Sequence, residues 1–204
     1  MTLPDKLLFL PGASGNVDFW KPVAEQLRTP IATVKHVGWP GFGPTPAEPS
    51  VASLPSLVER VVAEIDRPTA LVAQSMGCVV AILAALSRPD QVTHLVLAAL
   101  SGGVDMKRHG ARDWRPPSQE ITSEPSHLFA AYSEDLSPLL PSIAVPTLLL
   151  WGDSDPISPV GVGQWLSEVL HRAELHVVRG GGHTFANSKA DEIAPLIDRH
   201  LSAA

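Results

Sequence analysis

Short apolar runs recur along the chain, and stretches with apolar residues three or four positions apart separate most of them. Runs of the first kind are typical of strands covered on both faces, and stretches of the second kind are typical of amphipathic helices. Strands are predicted at residues 6–10, 31–37, 69–73, 92–99, 146–151 and 174–179. Helices are predicted at residues 18–28, 54–65 and 79–86, from Ser158 onward, and from about Ser188 onward.

The alternation of strands and helices, without hairpin turns between the strands, indicates the α/β class. Such an order requires right-handed crossovers and a doubly wound, mainly parallel six-stranded sheet with helices on both faces. Residues 101–141 interrupt the pattern because they are rich in Pro, Ser and charged side chains, so we expect an insertion there. In open sheets of this kind, ligands bind at the carboxyl ends of the strands.

Ser75 lies at the junction between a predicted strand and an apolar helix, with Ala73 and Gly77 on either side. A serine held there in a strained turn has its hydroxyl lifted above the sheet edge. Because small-x-Ser-x-Gly strings also arise by chance, the interpretation depends on partners elsewhere. Asp155 and His183 each follow a strand and therefore reach the same edge of the sheet.

The loop at residues 11–15 also follows a strand, and its glycines allow backbone N–H groups to converge on one point, although a plain turn is the alternative. With 204 residues, of which 45% are hydrophobic, the chain is long enough for one substantial core, so a single domain of residues 1–204 is predicted.

The net charge of −6 gives no electrostatic reason to expect nucleic acid or an anionic membrane as a partner. Cys78 is the single cysteine and falls in an apolar helix, where a small packing residue is expected rather than a reactive thiol. The chain starts without a basic, apolar leader segment, so we expect a protein of the cytoplasm.

These segments together resemble the α/β-hydrolase superfamily over nearly the whole chain. Residues 10–13 (Leu-Pro-Gly-Ala) resemble its oxyanion loop, and residues 40–43 (Pro-Gly-Phe-Gly) resemble the loop after its next strand. Residues 73–77 resemble its nucleophile elbow. Residues 151–155 (Trp-Gly-Asp-Ser-Asp) resemble the segment that carries its acid, and residues 182–183 (Gly-His) resemble the pair that carries its base. The order Ser, Asp, His is also that of the family. The resemblance is to small carboxylesterases, here without the first two strands of the sheet, with strand order 2-1-3-4-5-6 and with residues 101–141 as a minimal lid.

The resemblance implies Ser75 as nucleophile, His183 as general base and Asp155, rather than Asp153, as the acid that orients the imidazole. The backbone N–H groups of Ala13 and Met76 would form the oxyanion hole. Candidate substrate-binding residues are Trp39, Phe42, Trp114 and Phe129, each with core or lid packing as the alternative.

A small-molecule ester or thioester is the expected partner, and neither a cofactor nor a metal is expected, because the histidines lack metal-ligand spacing. Two other functions remain open at this point: a non-catalytic small-molecule receptor on the same fold, and a carbon–carbon bond hydrolase with the same triad. The oligomeric state is not predicted.

Overall fold

The six strands form one parallel sheet with the order β2-β1-β3-β4-β5-β6. This is seen in a computed structural model that describes residues 3–115 and 127–202. The α/β class and the strand order expected from the sequence are both confirmed. The strands are β1 (Lys6–Leu10), β2 (Thr33–His36), β3 (Thr69–Gln74), β4 (Val92–Ala98), β5 (Thr147–Gly152) and β6 (Ala173–Val178).

Helices cover both faces of the sheet. Residues of α2, α3 and α5 belong to one buried cluster, represented by Leu57, Val79 and Leu166. Residues of α1, α6 and α7 belong to a second cluster, which includes Phe185 and Ile193. The helices are α1 (Lys21–Ala24), α2 (Leu54–Ala63), α3 (Met76–Ser87), α4 (His127–Ala130), α5 (Val160–Val169), α6 (Phe185–Ser188) and α7 (Ala190–Leu201).

Helix α2 shows how local sequence and packing agree. The Ser53 hydroxyl accepts a hydrogen bond from the Ser56 N–H, and the Ser56 hydroxyl accepts one from the Ser53 N–H, so the first turn is capped on both sides. The predicted apolar stripe is buried, at Leu54, Leu57, Val58 and Val61.

The helix predicted over residues 18–28 is wrong in extent, because α1 is a single turn. Beyond it, the N–H groups of Gln26 and Leu27 bond to carbonyls three residues back, and the N–H groups of Arg28 and Thr29 instead bond to the Asp198 carboxylate of α7. Thr29 also precedes a proline, which disfavours helical backbone. Beyond α1 the chain thus continues in tight turns, and a carboxylate distant in sequence binds the N–H groups that follow them.

The described parts of the insertion, residues 101–115 and 127–141, contain short helical turns at Lys107–His109, His127–Ala130 and the start of Leu140–Ser142. The role of residues 101–141 as a lid stays a prediction, and residues 116–126 lie outside the described part. Within residues 3–115 and 127–202, no helix is long and apolar enough to cross a membrane.

Candidate active site

Ser75 sits between the end of β3 and the start of α3 with φ 54° and ψ −125°. Residues other than glycine rarely adopt this backbone conformation, so the strain expected at this serine is present. Gly77 is required by contact, since a Cβ at this position would lie 2.3 Å from the Pro11 carbonyl oxygen. The turn at Ser75 is therefore packed directly against the loop after β1, and the buried Ala73 is accommodated in β3.

Cys78 lies three residues beyond the turn and is fully buried. Its Sγ is 3.4 Å from the Ala73 carbonyl oxygen and 3.5 Å from that of Ala98. Burial raises the pKa of this thiol, which keeps it protonated. The sequence interpretation of Cys78 as a packing residue is confirmed.

Asp155 follows β5 and is 4% exposed. Its two carboxylate oxygens have different partners. Oδ1 accepts the N–H groups of Ile157 at 2.8 Å and Ser158 at 3.1 Å, and Oδ2 lies 2.8 Å from His183 Nδ1. The loop backbone thus fixes the carboxylate with one oxygen directed at the imidazole.

The neighbouring carboxylates have other partners. Asp153 Oδ1 accepts the Gly180 N–H at 2.7 Å and the Ser154 hydroxyl at 2.9 Å, so it bonds to the loop that carries His183 but not to the imidazole. Asp105 accepts the Arg108 N–H at 3.2 Å. The structure brings Asp155, and neither Asp153 nor Asp105, into hydrogen-bond contact with His183.

Ser158, predicted to start the next helix, does not cap it. The N-cap of α5 is Pro159, and the Ser158 hydroxyl instead donates to the Leu100 carbonyl at 2.6 Å and accepts the Trp151 indole N–H at 3.0 Å. A buried hydroxyl and a buried indole each need a hydrogen-bond partner, and these two bonds supply them. They also link the chain after β4 to the end of β5, next to the Asp155 loop.

His183 completes a chain of hydrogen bonds from Asp155 to Ser75. Its Nε2 lies 3.0 Å from Ser75 Oγ, and the Asp155 and His183 side chains are 0% and 20% exposed. The carboxylate is an acceptor, so it favours the tautomer with the proton on Nδ1 and leaves Nε2 free to accept the serine proton. The geometry is that of a serine activated by a neighbouring base.

The two residues predicted to supply the oxyanion hole lie on elements next to Ser75. Met76 is the first residue of α3, where N–H groups have no acceptor within the helix and the helix dipole favours negative charge. Ala13 lies on the loop after β1, which is held by the Trp39 indole donating to the Gly12 carbonyl at 2.9 Å and the Trp20 indole donating to the Leu10 carbonyl at 3.0 Å. Both elements predicted to form an oxyanion hole thus flank Ser75.

A cavity of about 220 Å³ opens at Ser75. It is lined by Gly12, Ala13, Ser14, Phe19, Gln74, Ser75, Trp114, Ile157, His183 and Thr184. A second cavity of about 670 Å³ lies between residues 26–30 and α7 and contains none of these residues. The smaller cavity is the candidate substrate site because Ser75 and His183 both line it, and it is below the usual size for a drug-sized ligand.

Of the four predicted substrate-binding residues, Trp114 lines this cavity. The structure does not bring Trp39, Phe42 or Phe129 to it. These three rings are buried against one another, with the Phe129 ring centroid 6.0 Å from those of both Trp39 and Phe42. Core packing, which was the alternative for each, accounts for them.

Residues 7–133 match the alpha/beta hydrolase family. The chain belongs to this family. A pimeloyl-[acyl-carrier protein] methyl ester esterase of Chromobacterium violaceum is 26% identical over 88% of this chain and 87% of its own length.

Solved structures agree on the fold. A thermophilic esterase from Thermogutta terrifontis superposes with a TM-score of 0.77 at 19% identity, covering 95% of this chain and 88% of its own. A meta-cleavage product hydrolase from Pseudomonas fluorescens superposes with a TM-score of 0.74 at 19% identity, covering 96% of this chain and 89% of its own. These structures show the fold, and the family and the Chromobacterium violaceum relative support a hydrolase.

Several residues that line the cavity of this alpha/beta hydrolase were missed by the sequence analysis, namely Ser14, Phe19, Gln74, Ile157 and Thr184. Three of them are chain neighbours of predicted site residues, so proximity to a motif was the available signal for Ser14, Gln74 and Thr184.

For metals, no group of three His, Cys, Asp or Glu side chains able to hold an ion occurs in the described part of the chain.

Proposed function

We propose that this protein is a serine hydrolase that cleaves a small carboxylic ester or thioester through an acyl-enzyme. One observation carries the proposal: the unbroken hydrogen-bond chain from Asp155 Oδ2 through His183 to Ser75 Oγ, with distances of 2.8 and 3.0 Å. A serine hydroxyl is a weak nucleophile at neutral pH, and this chain supplies the base that it needs.

In the first half of the reaction, Ser75 Oγ attacks the substrate carbonyl carbon while His183 Nε2 takes the hydroxyl proton. The Asp155 carboxylate stabilises the imidazolium that forms. Negative charge develops on the former carbonyl oxygen, which the N–H groups of Ala13 and Met76 would bind. One donor of this kind is worth on the order of 3 kcal/mol in the transition state.

The tetrahedral intermediate then collapses. The carbon–oxygen or carbon–sulfur bond to the leaving group breaks, and His183 gives its proton to the departing alkoxide or thiolate. In the second half, a water molecule attacks the acyl-enzyme and His183 takes its proton. Collapse of the second intermediate returns that proton to Ser75 Oγ and releases a carboxylic acid.

The size of the cavity, about 220 Å³, supports a small acyl group. The name of the Chromobacterium violaceum relative, a methyl ester esterase, supports an ester as substrate.

The proposal is tested with 4-nitrophenyl esters and matching acyl thioesters of increasing chain length. We expect turnover of the short members, a decline with chain length, and loss of turnover in Ser75→Ala. The control is Ser87→Ala at the other end of α3, where the exposed hydroxyl donates only to the Leu83 carbonyl, and it should leave turnover unchanged.

Turnover retained in full by Ser75→Ala would contradict the proposed mechanism. Absence of turnover of every ester and thioester, together with tight binding of a small molecule, would favour the receptor on the same fold. Cleavage of a vinylogous diketone, with no cleavage of any ester, would favour the carbon–carbon bond hydrolase.

A further inference from the structure

Gln74 is the last residue of β3 and directly precedes Ser75. Its side chain is buried at 4% exposure, although it lines the cavity at the serine. Burying an amide costs free energy unless its polar atoms find partners. The partners of this side chain therefore indicate why a glutamine occupies the position.

The amide reaches the loop that carries the base. Gln74 Nε2 donates to the carbonyl oxygen of His183 at 3.2 Å, across a sequence separation of 109 residues. The bond is made to the backbone of His183, from which the imidazole projects, whereas the Asp155 carboxylate holds the ring itself at Nδ1. Two separate groups thus hold the backbone and the ring of the same residue.

The carbonyl oxygen of the Gln74 amide, Oε1, lies close to the loop after β1. A Cβ added to Gly12 would lie 2.3 Å from Gln74 Oε1 and 3.1 Å from Ser75 Cβ. Because Gly12 has no side chain, the loop can approach both the amide and the serine. The Gln74 side chain therefore contacts the loop of Gly12 and the loop of His183 while its own backbone leads into Ser75.

From these contacts we infer that Gln74 is a positioning residue that sets the placement of His183 relative to Ser75, an inference that rests on the proposed function. Gln74 and Ser75 are consecutive residues, and the Gln74 amide bonds to the His183 backbone. This bond opposes movement of the His183 backbone relative to Ser75, and so keeps His183 Nε2 close to Ser75 Oγ. A misplacement of about 1 Å in a reacting group lowers a rate by on the order of a hundredfold.

The experiment replaces the amide without emptying its space. Gln74→Met has a similar shape but cannot donate to the His183 carbonyl. We expect its kcat for a short 4-nitrophenyl ester to fall about ten- to hundredfold with KM little changed, because substrate binding is retained and only proton transfer is misaligned. Gln74→Asn keeps the amide but is one methylene shorter, and it should lose kcat in the same way.

The control is Thr69→Val at the opposite end of β3. It also removes a hydrogen bond from a buried residue to a backbone carbonyl, that from Thr69 Oγ1 to the Arg67 carbonyl at 2.7 Å. This bond lies at the end of β3 that is away from Ser75. All variants are assayed below their measured unfolding temperatures. The control should keep the kcat of the wild type even where its unfolding temperature falls.

Wild-type kcat in Gln74→Met or in Gln74→Asn would overturn the inference and leave the proposed function intact. A rise in KM at constant kcat would also overturn it, since Gln74 would then act on substrate binding. A wild-type protein without ester or thioester turnover would instead remove the proposed function, and the inference with it.

Discussion

Asp155→Asn is the substitution for which the structure predicts the most specific outcome. In the native site, Oδ1 accepts two backbone N–H groups, from Ile157 and Ser158, and Oδ2 faces His183 Nδ1. The asparagine amide has one acceptor and one donor end, and the two backbone donors require the carbonyl oxygen on their side. The NH₂ group must then point at the imidazole.

A donor opposite Nδ1 forces that nitrogen to be the acceptor, so the imidazole proton moves to Nε2. His183 in this tautomer cannot take the Ser75 proton. The same change in a serine protease triad lowers kcat by on the order of 10⁴. At 1.36 kcal/mol for each factor of ten, this corresponds to about 5.5 kcal/mol of lost transition-state stabilisation.

The assay is the acylation rate with 4-nitrophenyl acetate, followed by release of nitrophenolate, beside a thermal unfolding scan. The fold should persist, because both backbone hydrogen bonds to residue 155 remain. The matched control is Asp153→Asn, in which the amide oxygen can still accept the Gly180 N–H and the Ser154 hydroxyl. It should reduce the rate far less. An Asp155→Asn rate within tenfold of the wild type, or an equal loss in Asp153→Asn, would refute the assignment of the acid.

The remaining predictions concern stability and, for one variant, also turnover. Burial, and then the neighbouring His94, lower the pKa of His200 from 6.5 to about 4, so the unfolded chain binds more protons in this window and stability should fall as the pH drops through it. Thermal unfolding across this pH range should show a smaller loss in His200→Gln, and an equal loss would refute the role of His200. Gly77→Ala should lower the unfolding temperature and ester turnover, since its Cβ would lie 2.3 Å from the Pro11 carbonyl oxygen. Gly161→Ala has no atom nearer than 3.6 Å to its Cβ, and it should stabilise helix α5 by about 0.5–1 kcal/mol.

The fold could be predicted where local pattern and packing point the same way. Apolar strands and amphipathic helices specify the sheet and its crossovers, and the small residues around Ser75 specify the turn. Residues 18–28 have apolar positions at helical spacing, but the helix is limited to Lys21–Ala24, and the Arg28 N–H bonds to the Asp198 carboxylate 170 residues away in sequence. Pattern alone does not reveal such a contact.

For the candidate site, the sequence pointed to the residues that the motifs contain and not to those that contact them. The family's acid segment points to Asp155 rather than Asp153, and in the structure Asp155 bonds to His183 whereas Asp153 bonds to the Gly180 N–H. The aromatic residues were harder to place, because a ring that packs in a core and a ring that lines a pocket have the same sequence signature. Trp39 is the clearest case, since its indole holds the Gly12 carbonyl from inside the core. Gln74 was missed because its partner is distant in sequence.

If Ser75 carries the acyl group during turnover, the acyl-enzyme can be trapped. The wild-type protein is mixed with a short activated ester, quenched in acid during the first turnover, digested and analysed by mass spectrometry. We expect one acyl group on the peptide that contains Ser75, present in Ser87→Ala and absent in Ser75→Ala. Turnover without any adduct at Ser75, or an adduct on another residue that forms at the catalytic rate, would contradict it.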